Sequence, residues 1–281
     1  MEITVKYASP LLEYLCAALA PQSRTKIKSL LAHSMVEVNG KARTAFDFPL
    51  EAGDRICVLH GKKPRTLSCK DIKIIYEDQW LIVADKRSGL PSISTGQTGE
   101  ATAYSILTDY AHQTWQGRIF IVHRLDRDTS GLLVFAKDEQ TKMAMQEHWN
   151  ECIVARKYAA VAENSFKDME GSIVSWLKEN PRSLKMSSST RDNGGKKAIT
   201  RYKVIRQENG LALTEIELET GRKNQIRVQF AAAGHPIAGD RKYGARSNPF
   251  GRLALHAFLL AFRHPRTGET LTFTSPVPFR L

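Results

Sequence analysis

A chain of 281 residues with 41 lysines and arginines against 29 aspartates and glutamates carries a formal charge of +12, and 42% of its residues are hydrophobic. That length allows one large domain or two, each with a real core, and the composition excludes a disordered chain. No apolar run reaches the eighteen residues of a membrane span, and Met1 to Lys6 lacks a signal peptide's apolar segment, so the expectation is a cytoplasmic protein with no membrane partner.

Residues 1–65 are expected to form a small module of their own. Leu11 to Leu19 has helical spacing, and Ser23 ahead of Thr25 to Leu31 is placed to cap a second helix. Val36 to Val38 is a short strand entering an Asn39-Gly40 turn, and Leu50 to Val58 supplies another turn and strand. Residues 60–70 have linker composition. The second domain, 66–281, opens with strands at Ile72 to Tyr76 and Trp80 to Lys86. Helices are expected over 101–113 and from Glu139 to Trp149, with strands from Ala155 to Ala162 and Leu211 to Leu218. Strands dominate with helices between them, which predicts an α+β domain built on a mixed sheet, behind a small α/β module.

One stretch in the second domain stands apart. Between the apolar runs Ile119 to Val122 and Leu132 to Phe135, both expected as buried strands, lies His123-Arg124-Leu125-Asp126-Arg127-Asp128-Thr129-Ser130-Gly131. Burying an unpaired carboxylate is so costly that Asp126 needs a guanidinium partner or a place at the mouth of a cleft. Both outcomes point to a site; the ordinary alternative is a polar surface loop joining two strands. Asp128 is a rival to Asp126, because residues two apart on a strand face the same side.

Read on through Leu132 to Ala136, these residues resemble the catalytic signature of the RluA family of RNA pseudouridine synthases. Three further segments match that family in order: Arg156-Lys157-Tyr158, Thr220 to Arg227, and His235 to Asp240 with Tyr243-Gly244. Lys86 to Pro91 matches a fourth, with Arg87 in place of the usual proline. The resemblance implies a mainly antiparallel sheet of pseudouridine synthase type and isomerisation of specific uridines in ribosomal or transfer RNA. It implies no cofactor, metal or nucleotide, because the reaction needs no external redox agent or energy source. What it requires is a carboxylate that stays ionised in a desolvated pocket, with a cation nearby to lower its pKa and fix its rotamer. The resemblance selects Asp126 for that carboxylate, Arg222 for the cation and Tyr158 as the aromatic that stacks on the target base. Arg124 suits the place that an extruded base leaves in the RNA stack. Gln225 and Arg227 are candidate phosphate contacts. The first module resembles the small RNA-binding domain first described in a ribosomal small-subunit protein, which implies contacts from Arg24, Lys26, Lys28, Asn39 and Lys41.

The charge distribution favours the same partner. Residues 182–206 hold eight basic side chains against Asp192 alone, and residues 222–252 hold seven against Asp240. A merely solvated face would intersperse acidic residues, whereas neutralising phosphates releases counterions. Other chemistries fit less well. Asp128-Thr129-Ser130-Gly131 is like an aspartic protease loop, but a single-chain protease needs a second one and none occurs. A glycosidase gives no reason for the basic charge, the four scattered cysteines suggest no zinc site, and no glycine-rich phosphate loop is present. The remaining alternative is a non-catalytic RNA-binding protein of the same fold.

Overall fold

Leu11, Leu15, Ile27 and Leu31 recur at helical spacing and are buried, because the two helices that carry them, α1 (Leu11–Ala18) and α2 (Arg24–Ala32), share a core with Val36, Val38, Ile56 and Val58. In this computed structural model, which describes residues 2–32, 36–58, 67, 69–94 and 100–281, the chain divides into two compact units. One comprises Met1–Leu67 and Asp109–Gly117; the other comprises Ser68–Thr108 and Arg118–Leu281. The linker proposed over 60–70 lies, apart from Leu67, Cys69 and Lys70, outside the described residues.

In the first unit β1 (Glu2–Thr4), β3 (Val36–Val38), β4 (Lys41–Ala42) and β6 (Arg55–Val58) form an antiparallel sheet in the order β1-β6-β3-β4, while β2 (Ser9–Pro10) pairs with β5 (Pro49–Leu50). Ser23 caps α2, its Oγ accepting from the Lys26 N–H at 3.3 Å. Asn39 and Gly40 both take positive φ, 51° and 75°, as a two-residue hairpin turn demands.

The second unit is built on an eleven-stranded sheet. Its strands are β7 (Ile72–Glu77), β8 (Leu81–Lys86), β9 (Phe120–Ile121), β10 (Ser130–Ala136), β11 (Ile153–Glu163), β12 (Glu170–Glu179), β13 (Met186–Ser189), β14 (Lys196–Glu208), β15 (Leu211–Leu218), β16 (Leu255–Arg263) and β17 (Thr270–Thr274). They run β13-β12-β14-β15-β11-β16-β10-β8-β7, with β17 added to β16 and β9 to β10. Among the described residues only the β10–β16 pair is parallel, so the sheet is mixed and mainly antiparallel. Between strands come α3 (Ala103–Thr114), whose residues from Asp109 onward belong to the first unit, α4 (Glu139–Glu147), the short α5 (Trp149–Cys152) and α6 (Gln225–Ala232). Leu81, Val83, Leu132, Val134, Met145 and Phe262 meet in a core beneath the sheet.

Two expectations need correcting. The run Ile119 to Val122 was expected to be a buried strand like its partner, yet only Phe120 and Ile121 pair with β10. The ladder stops because the ring of His123 takes over: its Nε2 accepts from the Val134 N–H at 3.1 Å. The other correction concerns the basic segment 182–206. Antiparallel pairing sets Arg201 opposite Glu217 and Lys203 opposite Glu215, and Arg201 and Arg206 form ion pairs with Glu219 and Glu208. Carboxylates beyond the segment therefore dilute the charge at its C-terminal end, from Arg201 to Arg206.

Candidate active site

The turn 125–128 is held by its backbone. Lys86, buried at the end of β8, donates from Nζ to the carbonyls of Leu90 (2.7 Å), Arg127 (3.0 Å) and Arg87 (3.1 Å). The Gly89 N–H also donates to Arg127 O, Ser88 Oγ to Asp128 O, and Ser92 Oγ to Leu125 O. With its carbonyls pinned in this way, the turn has little freedom, and the side chain of Asp126 is aimed by the frame around it. Burial pulls the pKa of Lys86 down to about 7, against the pull of Asp128 and Asp126. Just beyond the turn, Gly131 pairs with Ala257 so closely that a Cβ would lie 2.2 Å from the Ala257 carbonyl, at a φ of 114°.

Asp126 opens onto a cavity of about 570 Å³ also lined by Arg124, Trp149, Arg156, Tyr158 and Arg222. Its side chain is 26% exposed and stands 3.9 Å from a terminal nitrogen of Arg227, an ion pair too long to be a hydrogen bond. Arg227 is gripped from the other side: its Nε and one terminal nitrogen donate to the two oxygens of Asp240 at 2.7 and 2.8 Å. The carboxylate of Asp240 is wholly inaccessible to solvent, and the guanidinium lies over the ring of Tyr243 at 5.3 Å. Burial raises the carboxyl of Asp126 above the usual carboxylate range, opposed by Arg227 and Arg124. The cations thus restrain the shift without reversing it, contrary to the net lowering expected from the sequence.

Tyr158 is buried in the cavity wall. A register shift between Lys157 and Tyr158 in the β11–β16 ladder sets the direction of its side chain. Burial and nearby Asp126 raise its hydroxyl above its ordinary value, so it is a neutral phenol at physiological pH. Arg124 is exposed and borders the same cavity.

Arg222 lines the cavity too, but its Nε donates to the Lys197 carbonyl at 3.3 Å, and the guanidinium beside Asp126 is that of Arg227. The reason is local. α6 starts after Asn224, which has a φ of 53°, so the helix turns Arg227 toward Asp126 while Arg222 stays in the preceding turn. Gln225 also departs from expectation. It is 3% exposed, and its amide is used within the fold: Oε1 accepts from Thr220 Oγ1 and Arg222 N, and Nε2 donates to Ile199 O and Thr200 Oγ1. Gln225 and Arg227, expected from the sequence as phosphate contacts, are thus both engaged within the fold around the cavity.

Sequence reasoning passed over Asp240 and Arg156. Asp240 sat in a matched segment, and its role depends on which arginine it meets. Arg156 donates to the Thr220 carbonyl at 3.2 Å, and its Nε is buried with no partner among the described residues. His123 is a neutral packing histidine, its pKa driven down to about 3 by burial and Arg156.

In the first unit Arg24, Lys26, Lys28 and Lys41 are exposed. The amide of Asn39 is committed to its turn, donating to Asp54 at 2.8 Å and accepting from the Arg55 N–H at 2.9 Å. Among the described residues no helix is long and apolar enough to cross a membrane.

Residues 80–232 match the family model described as RNA pseudouridylate synthase. An uncharacterised RNA pseudouridine synthase of Bacillus subtilis, YlyB, is 35% identical over 91% of this chain and 86% of its own. The ribosomal large subunit pseudouridine synthase D of Neisseria meningitidis is 32% identical over 99% of this chain and 78% of its own. Two human structures share the fold: RNA pseudouridylate synthase domain containing 4 has a TM-score of 0.60 at 24% identity, covering 73% of this chain and 88% of its own. Domain containing 1 has a TM-score of 0.62 at 23% identity, covering 78% and 87%.

Proposed function

The chain belongs to the RNA pseudouridylate synthase family and isomerises uridine in RNA, and from that premise we propose that Asp126 is its catalytic carboxylate, acting on a uridine flipped into the 570 Å³ cavity. The observation that carries this reading is the arrangement Asp126–Arg227–Asp240: a partly open carboxylate beside a guanidinium that a buried second carboxylate prevents from moving.

The reaction breaks the bond between N1 of uracil and C1′ of ribose and makes one between C5 and C1′. C5 gives up its proton and N1 gains one, so atoms and electrons balance with no oxidant, reductant or cofactor. Asp126 presents its carboxylate to the nucleoside while Arg227 fixes its direction and offsets its charge. The ring of Tyr158 supplies a flat apolar surface for the base, and its neutral hydroxyl is a hydrogen-bond donor. Extrusion costs a few kcal/mol of lost stacking and pairing, and Arg124, exposed beside the cavity, fills the vacated position. Arg222, freed from the role of Asp126 partner, is placed to meet the RNA near the cavity edge.

We assign residues 1–65 to RNA binding through Arg24, Lys26, Lys28 and Lys41, with Asn39 shaping the turn that presents Lys41. Ribosomal RNA of the large subunit is the preferred substrate over transfer RNA, since the Neisseria relative is named for the large ribosomal subunit; a cytoplasmic site of action goes with that reading. The test is a map of pseudouridine in ribosomal and transfer RNA from cells with the protein, without it, and with Asp126→Asn. We expect the same few ribosomal sites to vanish in the latter two. Sites that persist with Asp126→Asn would refute the assignment of the carboxylate.

A further inference from the structure

A second cavity, of about 610 Å³, shares Arg227 with the first. The Arg227–Asp240 pair borders this cavity and Arg227 borders the first, so the guanidinium forms part of the wall between them. The same division separates the two carboxylates of the signature turn: Asp126 faces the first cavity and Asp128 the second.

The second cavity is electropositive. Arg87, Arg241, Lys242 and Arg252 line it, against Asp128, once the Arg227–Asp240 pair is set aside as internally neutral. Arg241 and Lys242 are exposed, and Arg87 has only a long 3.6 Å pairing with Asp71 between side chains open to solvent. Arg252 is the informative residue. It is partly buried, and every hydrogen bond of its guanidinium goes to a neutral oxygen: Ser130 Oγ at 2.6 Å, Leu253 O at 3.1 Å and Leu255 O at 3.3 Å. Burial and the charge of Arg87 depress its pKa against the opposing pull of Asp128, which none of these hydrogen bonds reaches.

We propose that this cavity is a phosphate subsite for the RNA backbone, holding a phosphodiester next to the target uridine through Arg87, Lys242 and Arg252. The inference rests on the reading that the uridine enters the Asp126 cavity, since the shared Arg227 wall then sets base and phosphate on its two sides. An arginine is suited to two phosphate oxygens at once, and the flanking exposed cations add attraction that falls with salt. The subsite would also define what Asp128 does. Its charge stands at the phosphate pocket rather than at the reacting nucleoside, and it keeps that pocket from trapping anions too tightly.

The test uses the full chain, the Arg87→Gln/Lys242→Gln double variant, and a short RNA carrying the mapped uridine. Both replaced side chains are surface-exposed, and a thermal melt matching the unaltered protein verifies the fold. We expect the KM for RNA to rise about tenfold in the variant, with the slope of log KM against log salt falling by about one to two. A single neutral methylphosphonate beside the uridine should raise KM for the unaltered protein by a similar factor and add nothing further in the variant. An active unaltered enzyme whose variant shows the same KM and salt slope overturns the subsite alone. Inorganic phosphate that competes with RNA only in the unaltered protein, with methylphosphonate and variant effects additive at every position, reassigns the cavity to a free anion and overturns the backbone reading. An unaltered protein that forms no pseudouridine on mapped ribosomal or transfer RNA overturns the parent reading instead.

Discussion

Arg227 gives two of its nitrogens to Asp240, at 2.7 and 2.8 Å, and holds a third 3.9 Å from Asp126. The short contacts lie on the structural side and the long one on the side open to the cavity. A guanidinium fixed this way offers charge to Asp126 without closing over it, which leaves the carboxylate free to meet a nucleoside.

Asp240→Asn removes the charge that anchors Arg227 but preserves the shape of the site. Breaking one side of a buried ion pair costs about 3 kcal/mol. We expect a stability loss of that order in denaturant unfolding, together with a fall in kcat larger than any change in KM, because Arg227 is then free to fold onto Asp126. An unchanged kcat would show that the grip on Arg227 is structural only.

Arg227 and Arg222 should separate cleanly. Arg227→Lys keeps the positive charge but loses the two-pronged grip on Asp240, and kcat should fall by about a hundredfold. Arg222→Ala should act mainly on KM, since Arg222 lines the cavity but donates to the Lys197 carbonyl rather than to Asp126. Initial rates across RNA concentrations distinguish the two, and the reverse pattern would restore Arg222 as the partner of Asp126.

The pH profile carries a sign. In the proposed role Asp126 acts as its anion, and burial holds its pKa above the ordinary 3.8 despite Arg227 and Arg124. Activity is therefore full above that raised value and is lost as the pH falls through it. Arg124→Ala withdraws one of the restraining cations, so the acid limb of kcat/KM should move to higher pH. A limb that stays in place would mean that another group controls it.

Lys86→Met would leave the Leu90 carbonyl without its 2.7 Å donor and weaken the hold on the Arg127 carbonyl. The unsatisfied buried acceptor costs about 2 kcal/mol. We expect lower stability and, because the turn bearing Asp126 loosens, a lower kcat, measured by denaturant unfolding and by single-turnover pseudouridine formation.

The sequence alone determined much of this protein. Helical spacing placed α1 and α2, alternation placed β15, and Asn39-Gly40 marked its hairpin turn, since each depends only on neighbouring residues. The mixed, mainly antiparallel α+β sheet and the family were legible from the ordered motifs; the cost of placing carboxylates between apolar runs marked the segment as a site, and the family resemblance, not position, chose Asp126 over Asp128. Tertiary structure decided what depended on partners far along the chain. The guanidinium beside Asp126 is Arg227 rather than Arg222 because α6 begins between them and Asp240 captures the second. Gln225 turned inward because Ile199 and Thr200 needed a donor. Part of the charge of the 182–206 segment, at Arg201 and Lys203, was offset by glutamates on β15 and just beyond it, brought alongside by strand pairing. Electrostatic energy depends on distance through space, and no local pattern encodes which distant charges the fold brings within a few ångströms.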